Sequence, residues 1–143
     1  MAADLPTTDP YAAYVLSNVV AAGPDRAVVE QPMEPEVDNH AKVRHASALY
    51  TAAYEAARQL VVAALGDLAE SVEVRLADSE IRYTAVGLGL LKSTAEARGS
   101  GWDSLADELG AGRTVELESF VTTDDPGGKT VATLELHWAV SPA

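Results

Sequence analysis

Hydrophobic positions change their period once along the chain. In the first half they recur at helical spacing. Tyr11, Val15, Leu16, Val19 and Val20 predict a helix over 11–22, with Asp9 as its cap, Pro10 at its first position and Gly23-Pro24 as its stop. Arg26 to Pro35 reads as a strand centred on Val28 and Val29, which Pro32 and Pro35 make an edge or irregular one. A polar loop from Glu36 to His45 leads into the strongest helical run, Ala46 to Leu65. It is rich in alanine and leucine, lacks Gly and Pro, and stops at Gly66. Leu49, Ala53, Ala56, Leu60 and Ala64 form one stripe. Ala52, Ala57 and Ala63 widen it, so this helix is expected to be enclosed on most sides.

From Ser71 the period becomes two. Val72, Val74 and Leu76 alternate with polar positions and are followed by Ile81 and Tyr83. Leu88 to Ala97, Val115 to Thr123 and Thr130 to Val140 predict three more strands. Asp124-Asp125-Pro126-Gly127-Gly128 predicts the hairpin turn between the last two, and Trp102 to Leu109 a short helix or loop excursion. Strands clustered after a helix argue an α+β fold. The simplest arrangement is a curved antiparallel sheet wrapped around one long central helix. Residues 1–143 then form a single domain, with a tail over 1–10, an N-terminal helix over 11–22 and a core over 26–140.

Composition narrows the class. A chain of 143 residues buries roughly two-thirds of its unfolded surface, enough for one core without staples. Apolar residues make up 48%, which excludes global disorder. With no cysteine there is no disulfide framework and no thiolate metal site. Acidic residues outnumber basic ones 22 to 10, a net charge of −12 that repels nucleic acid. No run approaches the ~18 apolar residues of a membrane span. Met1-Ala2-Ala3-Asp4 has no basic n-region of a secretory signal, so a cytoplasmic location is expected.

Candidate chemistry concentrates in Asp38-Asn39-His40-Ala41-Lys42-Val43-Arg44-His45, followed by Ala46-Ser47-Ala48-Leu49-Tyr50-Thr51. This loop leads into the start of the buried helix, where unsatisfied backbone N–H groups carry partial positive charge and can polarise a carbonyl. Small Ala46 and Ser47 let a substrate approach them, although Ser47 can equally cap the helix. Asn39 can orient water or cap its own loop. His45 can act as a base or a donor, or serve the helix start alone. Thr51 can touch substrate or bond its own helix backbone. His40 reads as a solvated loop residue and His137 as a structural residue of the last strand. Asp38, His40 and His45 match no standard zinc spacing, so no metal is expected. Gly87-Leu88-Gly89 is too short for a dinucleotide fingerprint and marks a turn or a kink in the sheet.

The segment resembles the hotdog-fold acyl thioesterases, especially the phenylacetyl-CoA thioesterase type and a divergent branch of it. That group typically carries Asn, five residues, His-Gly-Gly, two or three residues and Leu/Phe-Thr, with an acid nine positions after the His. Asn39 and His45 match the spacing, Ala46 and Ser47 stand where the glycines would be, and Leu49, Tyr50 and Thr51 match the apolar-aromatic-Thr triplet. Ser79 to Tyr83 and Arg113 to Trp138 resemble later strands of the group, so the similarity spans roughly residues 26–140. It implies an acyl thioesterase acting on acyl-CoA or an acyl carrier protein, without cofactor, at a site between subunits of a homodimer or dimer of dimers. One subunit supplies loop 38–47; the other supplies the helix face from Thr51 to Glu55 and strand residues near Thr84.

One position departs from the pattern. Nine residues past His45 stands Tyr54, and the nearest carboxylate is Glu55, ~100° further round the helix. Glu55 pairs with Arg58 on an exposed face, or acts as base or nucleophile on a buried one. Tyr54 packs in the core or forms a pocket wall. The departure keeps two alternatives open: a non-hydrolytic acyl-thioester enzyme (dehydratase, cyclase or conjugate addition) and a non-catalytic acyl-binding module. An acidic carrier protein would need a local basic patch, for which Arg44, Lys92, Arg98 and Arg113 are the candidates.

Overall fold

The computed structural model describes residues 8–143, so most of the expected tail lies outside the described residues. Helix α1 spans Pro10–Tyr14 and is followed by strands β1 (Asn18–Ala22) and β2 (Arg26–Gln31). Helix α2 spans Ala46–Leu65, and β3 (Val72–Tyr83) and β4 (Leu91–Arg98) come next. Helix α3 (Leu105–Gly110) precedes β5 (Val115–Asp124) and β6 (Thr130–Pro142). Short 3₁₀ turns cover Pro35–Val37 and Gly66–Ser71.

The six strands form one antiparallel sheet in the order β1-β2-β4-β5-β6-β3. The sheet curves around α2, which packs against β2, β4, β5 and β6. This is the hotdog arrangement the sequence implied. Leu60 and Val61 of α2 meet Val29, Val121, Leu134 and Leu136 of the sheet with no exposed surface or nearly none. Alanines at 52, 53, 56 and 57 bring the helix backbone close to the strands. Trp138 is buried, and its indole N–H donates to the Ser119 hydroxyl at 2.9 Å, which satisfies the polar atom it takes into the core.

The predicted helix over 11–22 is corrected. Asp9 does cap α1, accepting from the N–H groups of Tyr11 and Ala12, and Pro10 is its first residue. The helix stops at Tyr14, Leu16 adopts a φ of 63°, and 18–22 becomes an edge strand paired with β2. Val19 and Val20 are β-branched and suit a pleated strand. Their i, i+4 relation to Val15 and Leu16 mimics a helical stripe. The strand predicted over 26–35 ends at Gln31, because Pro32 offers no N–H to the ladder. The strand predicted from Leu88 starts at Leu91, because the chain before it is bent around Arg44.

Candidate functional site at the start of helix α2

His45 is the N-cap of α2. Its backbone N–H donates to Val37 O at 2.7 Å, and its carbonyl accepts from Leu49 N–H at 3.0 Å. Its ring Nδ1 accepts the N–H of Ser47 at 3.1 Å. An imidazole nitrogen that accepts carries no proton, so the neutral ring holds its proton on Nε2 and presents a donor to solvent. The ring thus takes one of the two amides expected to hold a carbonyl oxygen. The N–H groups of Ala46 and Ala48 have no acceptor among the described residues, and with the His45 Nε2–H they are the donors left at this helix end.

A hollow of about 180 Å³ opens there, lined by Tyr11, Tyr14, Asp38, His45, Ser47 and Ala48 among others. The two tyrosine rings stack with centroids 6.3 Å apart, and both are exposed. Asp38 Oδ1 is shielded from solvent and has no hydrogen-bond partner among the described residues. Asp38 pairs with Arg44 in an isolated bridge that closes the loop 38–44.

Arg44 is the residue this loop is built on. It is 4% exposed, and burial pulls its guanidinium below the usual arginine range, an effect the charge of Asp38 opposes. Its Nη2 donates to Gly89 O at 2.6 Å and its Nη1 to Gln31 Oε1 at 3.2 Å. Its backbone N–H donates to Gly87 O at 2.8 Å. Gly87 allows that approach: a Cβ there would stand 2.8 Å from Leu91 Cδ1 and 3.0 Å from Arg44 Cβ. Gln31 completes the framework, donating through Nε2 to Val15 O and Ala48 O at 2.8 and 2.9 Å. Position 44 was noted in the sequence only as a surface cation. The Gly87-Leu88-Gly89 turn was the signal that something passes close to the backbone.

The other predicted residues disperse. Asn39 Oδ1 accepts from Ala41 and Val43 N–H, so its carbonyl oxygen holds the turn that presents Asp38. Thr51 donates to Ser47 O at 2.8 Å within its own helix. Thr84, exposed beyond β3, donates to Thr130 O. Tyr54 packs against Trp138, with ring centroids 5.7 Å apart, and borders a separate hollow with Arg58 and Val74. Burial, then the charge of Asp9, holds its phenol above the usual range.

Glu55 is fully buried. Arg58 Nε bonds its Oε1, while Oε2 accepts from Arg58 Nη2 at 3.2 Å and from the N–H of Asp9 at 2.8 Å. The pairing with Arg58 is present, but on a buried rather than an exposed face. It stands ten residues beyond His45, roughly 15 Å along the helix axis. Of the expected basic patch, Arg44 is buried, Arg98 pairs with Glu96 and lies over the Phe120 ring, and Arg113 pairs with Glu108.

The family described as "Domain of unknown function (DUF4442)" matches residues 4–140. No curated protein matches the chain. Among solved structures, a Pseudomonas aeruginosa protein described as of unknown function and a probable thioesterase superposes with a TM-score of 0.81 at 16% identity, covering 94% of this chain and 89% of that one. A thioesterase family protein from Silicibacter pomeroyi gives 0.74 at 14% identity, covering 94% and 91%. A mutant thioesterase enzyme from Staphylococcus aureus gives 0.75 at 10% identity, covering 94% and 100%. At these identities the likeness is one of fold. No helix among the described residues is long and apolar enough to cross a membrane.

Proposed function

This chain belongs to the DUF4442 family and has the hotdog fold, and on that premise we propose that it hydrolyses an acyl thioester of coenzyme A or an acyl carrier protein. The observation that carries this reading is the hollow itself, in which the Asp38 carboxylate lies beside the open amides at the start of α2. In the proposed reaction the thioester carbonyl lies against the Ala46 and Ala48 N–H groups and the His45 Nε2–H. These donors stabilise the oxygen as it gains charge. Asp38 takes a proton from water as the water oxygen bonds to the carbonyl carbon. The C–S bond then breaks, and the proton passes to the leaving thiolate. Asn39 is a positioning residue that holds the turn carrying Asp38. Glu55, with both oxygens occupied, holds α1 in place, and Tyr11 and Tyr14 of that helix wall the hollow.

We place the working site at a seam between two copies. Strand β3 is twelve residues long and lies at the sheet edge with one side unpaired. Tyr83, Val86, Leu88 and Leu90 leave large apolar surface exposed beside it. Pairing through β3 would cover both.

The test is thiol release from a panel of acyl-CoA thioesters, with sedimentation measured in parallel. Asp38→Asn is expected to lower turnover by about 100-fold or more. Glu55→Gln, which loosens the wall of the hollow without removing a reacting group, is expected to lower turnover per folded molecule far less than Asp38→Asn does. Altered acyl product without thiol release would instead support a non-hydrolytic enzyme. Tight acyl binding without turnover would support a binding module; Tyr54, standing where the resembling group has an acid, favours the non-hydrolytic enzyme of these two.

A further inference from the structure

A second group of chemically competent side chains lies on the opposite face of the sheet from α2. In the β5–β6 register Glu118 stands directly across from His137. Glu135 precedes His137 by two residues and shares its outward face. One ligand atom from each of Glu118, Glu135 and His137 lies within 4.8 Å of the others, and all three side chains are half-buried. His137 Nε2 is 3.2 Å from Glu135 Oε1. On the far side a bulge between Leu76 and Asp78 sets Asp78 opposite His137, with its Oδ1 3.7 Å from Nδ1. Neither Glu118 nor Glu135 forms an ion pair with an Arg or Lys among the described residues. Three carboxylates therefore surround one imidazole; Arg98, across from Glu118 in the β4–β5 register, is paired with Glu96, and Arg82, whose charge reaches Glu135, is paired with Glu80. A hollow of about 250 Å³ lined by Glu118, His137, Arg98, Ser100 and Gly101 among others opens beside the group.

We infer that Glu118, Glu135 and His137 bind a divalent first-row transition-metal ion, with water from the adjoining hollow completing its shell. The donor set is one imidazole nitrogen and carboxylate oxygens. That mixture suits zinc, manganese or cobalt, whereas magnesium and calcium take oxygen alone. Nε2 is the ligand nitrogen because it faces the carboxylates. Nδ1 then carries the proton and faces Asp78, the outer partner that fixes the ring and raises its basicity. Only three protein ligands are offered, so positions stay open for exchangeable ligands, as in sites that act on small molecules. This inference does not rest on the thioesterase reading. No residue is shared, and the two sites are separated by the sheet.

The test uses the full chain freed of metal by a chelator. Zn²⁺ is titrated calorimetrically, and Co²⁺ is followed by its visible absorption. One ion per chain is expected. His137→Ala and the pair Glu118→Gln with Glu135→Gln are each expected to weaken binding about tenfold or more. A readout that needs no variant is the wild-type NMR spectrum, in which substoichiometric Mn²⁺ should broaden the His137 ring signals before those of His40 and His45. Zn²⁺ binding that survives His137→Ala overturns the assignment. So does Mg²⁺ binding as tightly as Zn²⁺, or a His137 ring that excess Mn²⁺ leaves sharp.

Discussion

The carboxylate of Glu55 accepts the backbone N–H of Asp9, a residue 46 positions earlier, at 2.8 Å. Asp9 in turn caps α1 with its own side chain. A buried acid in the long central helix thereby anchors the short helix whose tyrosines line the candidate site. Arg58, one turn further along, neutralises that acid.

Breaking this clasp should loosen α1 before it unfolds the domain. Glu55→Gln removes the charge that faces Arg58, whose side chain is only 22% exposed. A loss of about 2–3 kcal/mol is expected in urea unfolding. Amide exchange in α1 should accelerate more than exchange in β4 or β5. Equal acceleration throughout would show that the clasp is not local.

Gly87 is predicted to resist even alanine. The added Cβ meets Leu91 Cδ1 at 2.8 Å and Arg44 Cβ at 3.0 Å, and Leu91 is 2% exposed. Gly87→Ala should cost about 1–3 kcal/mol and should lower thiol release by displacing the loop that carries Asp38. A variant as stable and as active as the wild type would mean that the loop adapts freely.

Leu60 sits at the middle of α2 with no exposed surface. Leu60→Ala should destabilise by about 2–5 kcal/mol, through lost burial and the cavity left behind. The denaturation midpoint should fall while the slope stays constant.

In chelated buffer the His137 imidazole is predicted to titrate above the ordinary histidine range. The hydrogen bond to Glu135 raises it most, burial opposes that rise, and the charges of Asp78 and Glu118 add to it. The same bond lowers the Glu135 carboxyl. The folded state therefore holds the His137 proton more tightly than the unfolded chain does. Its contribution to stability is complete below the unfolded histidine pKa and is lost as pH rises through the folded value. The Glu135 contribution is present above the unfolded glutamate pKa and is lost as pH falls through its folded value. NMR titration of the ring protons checks this, and Glu135→Gln should bring His137 back toward the ordinary range.

The sequence by itself determined those parts whose signal is local. Alanine-rich periodicity and Gly66 delimit α2, strict alternation marks β5 and β6, and the Asp-Pro-Gly-Gly turn joins them. The polar loop ending at His45 was legible as the place where backbone donors stay open, because helix starts expose amides whatever surrounds them. Tertiary structure decided what depends on partners far along the chain. Asn18–Ala22 is a strand only because β2 lies beside it, which no local spacing of valines reports. Glu55 could be read as an exposed pair or a buried acid until Asp9 was found against it. Arg44 looked like surface charge until Gly87 and Gly89 closed around it. Glu118 and His137 are nineteen positions apart, and only the β5–β6 register makes them neighbours. In each case the deciding energy is a contact between segments whose separation in sequence carries no trace of their distance in space.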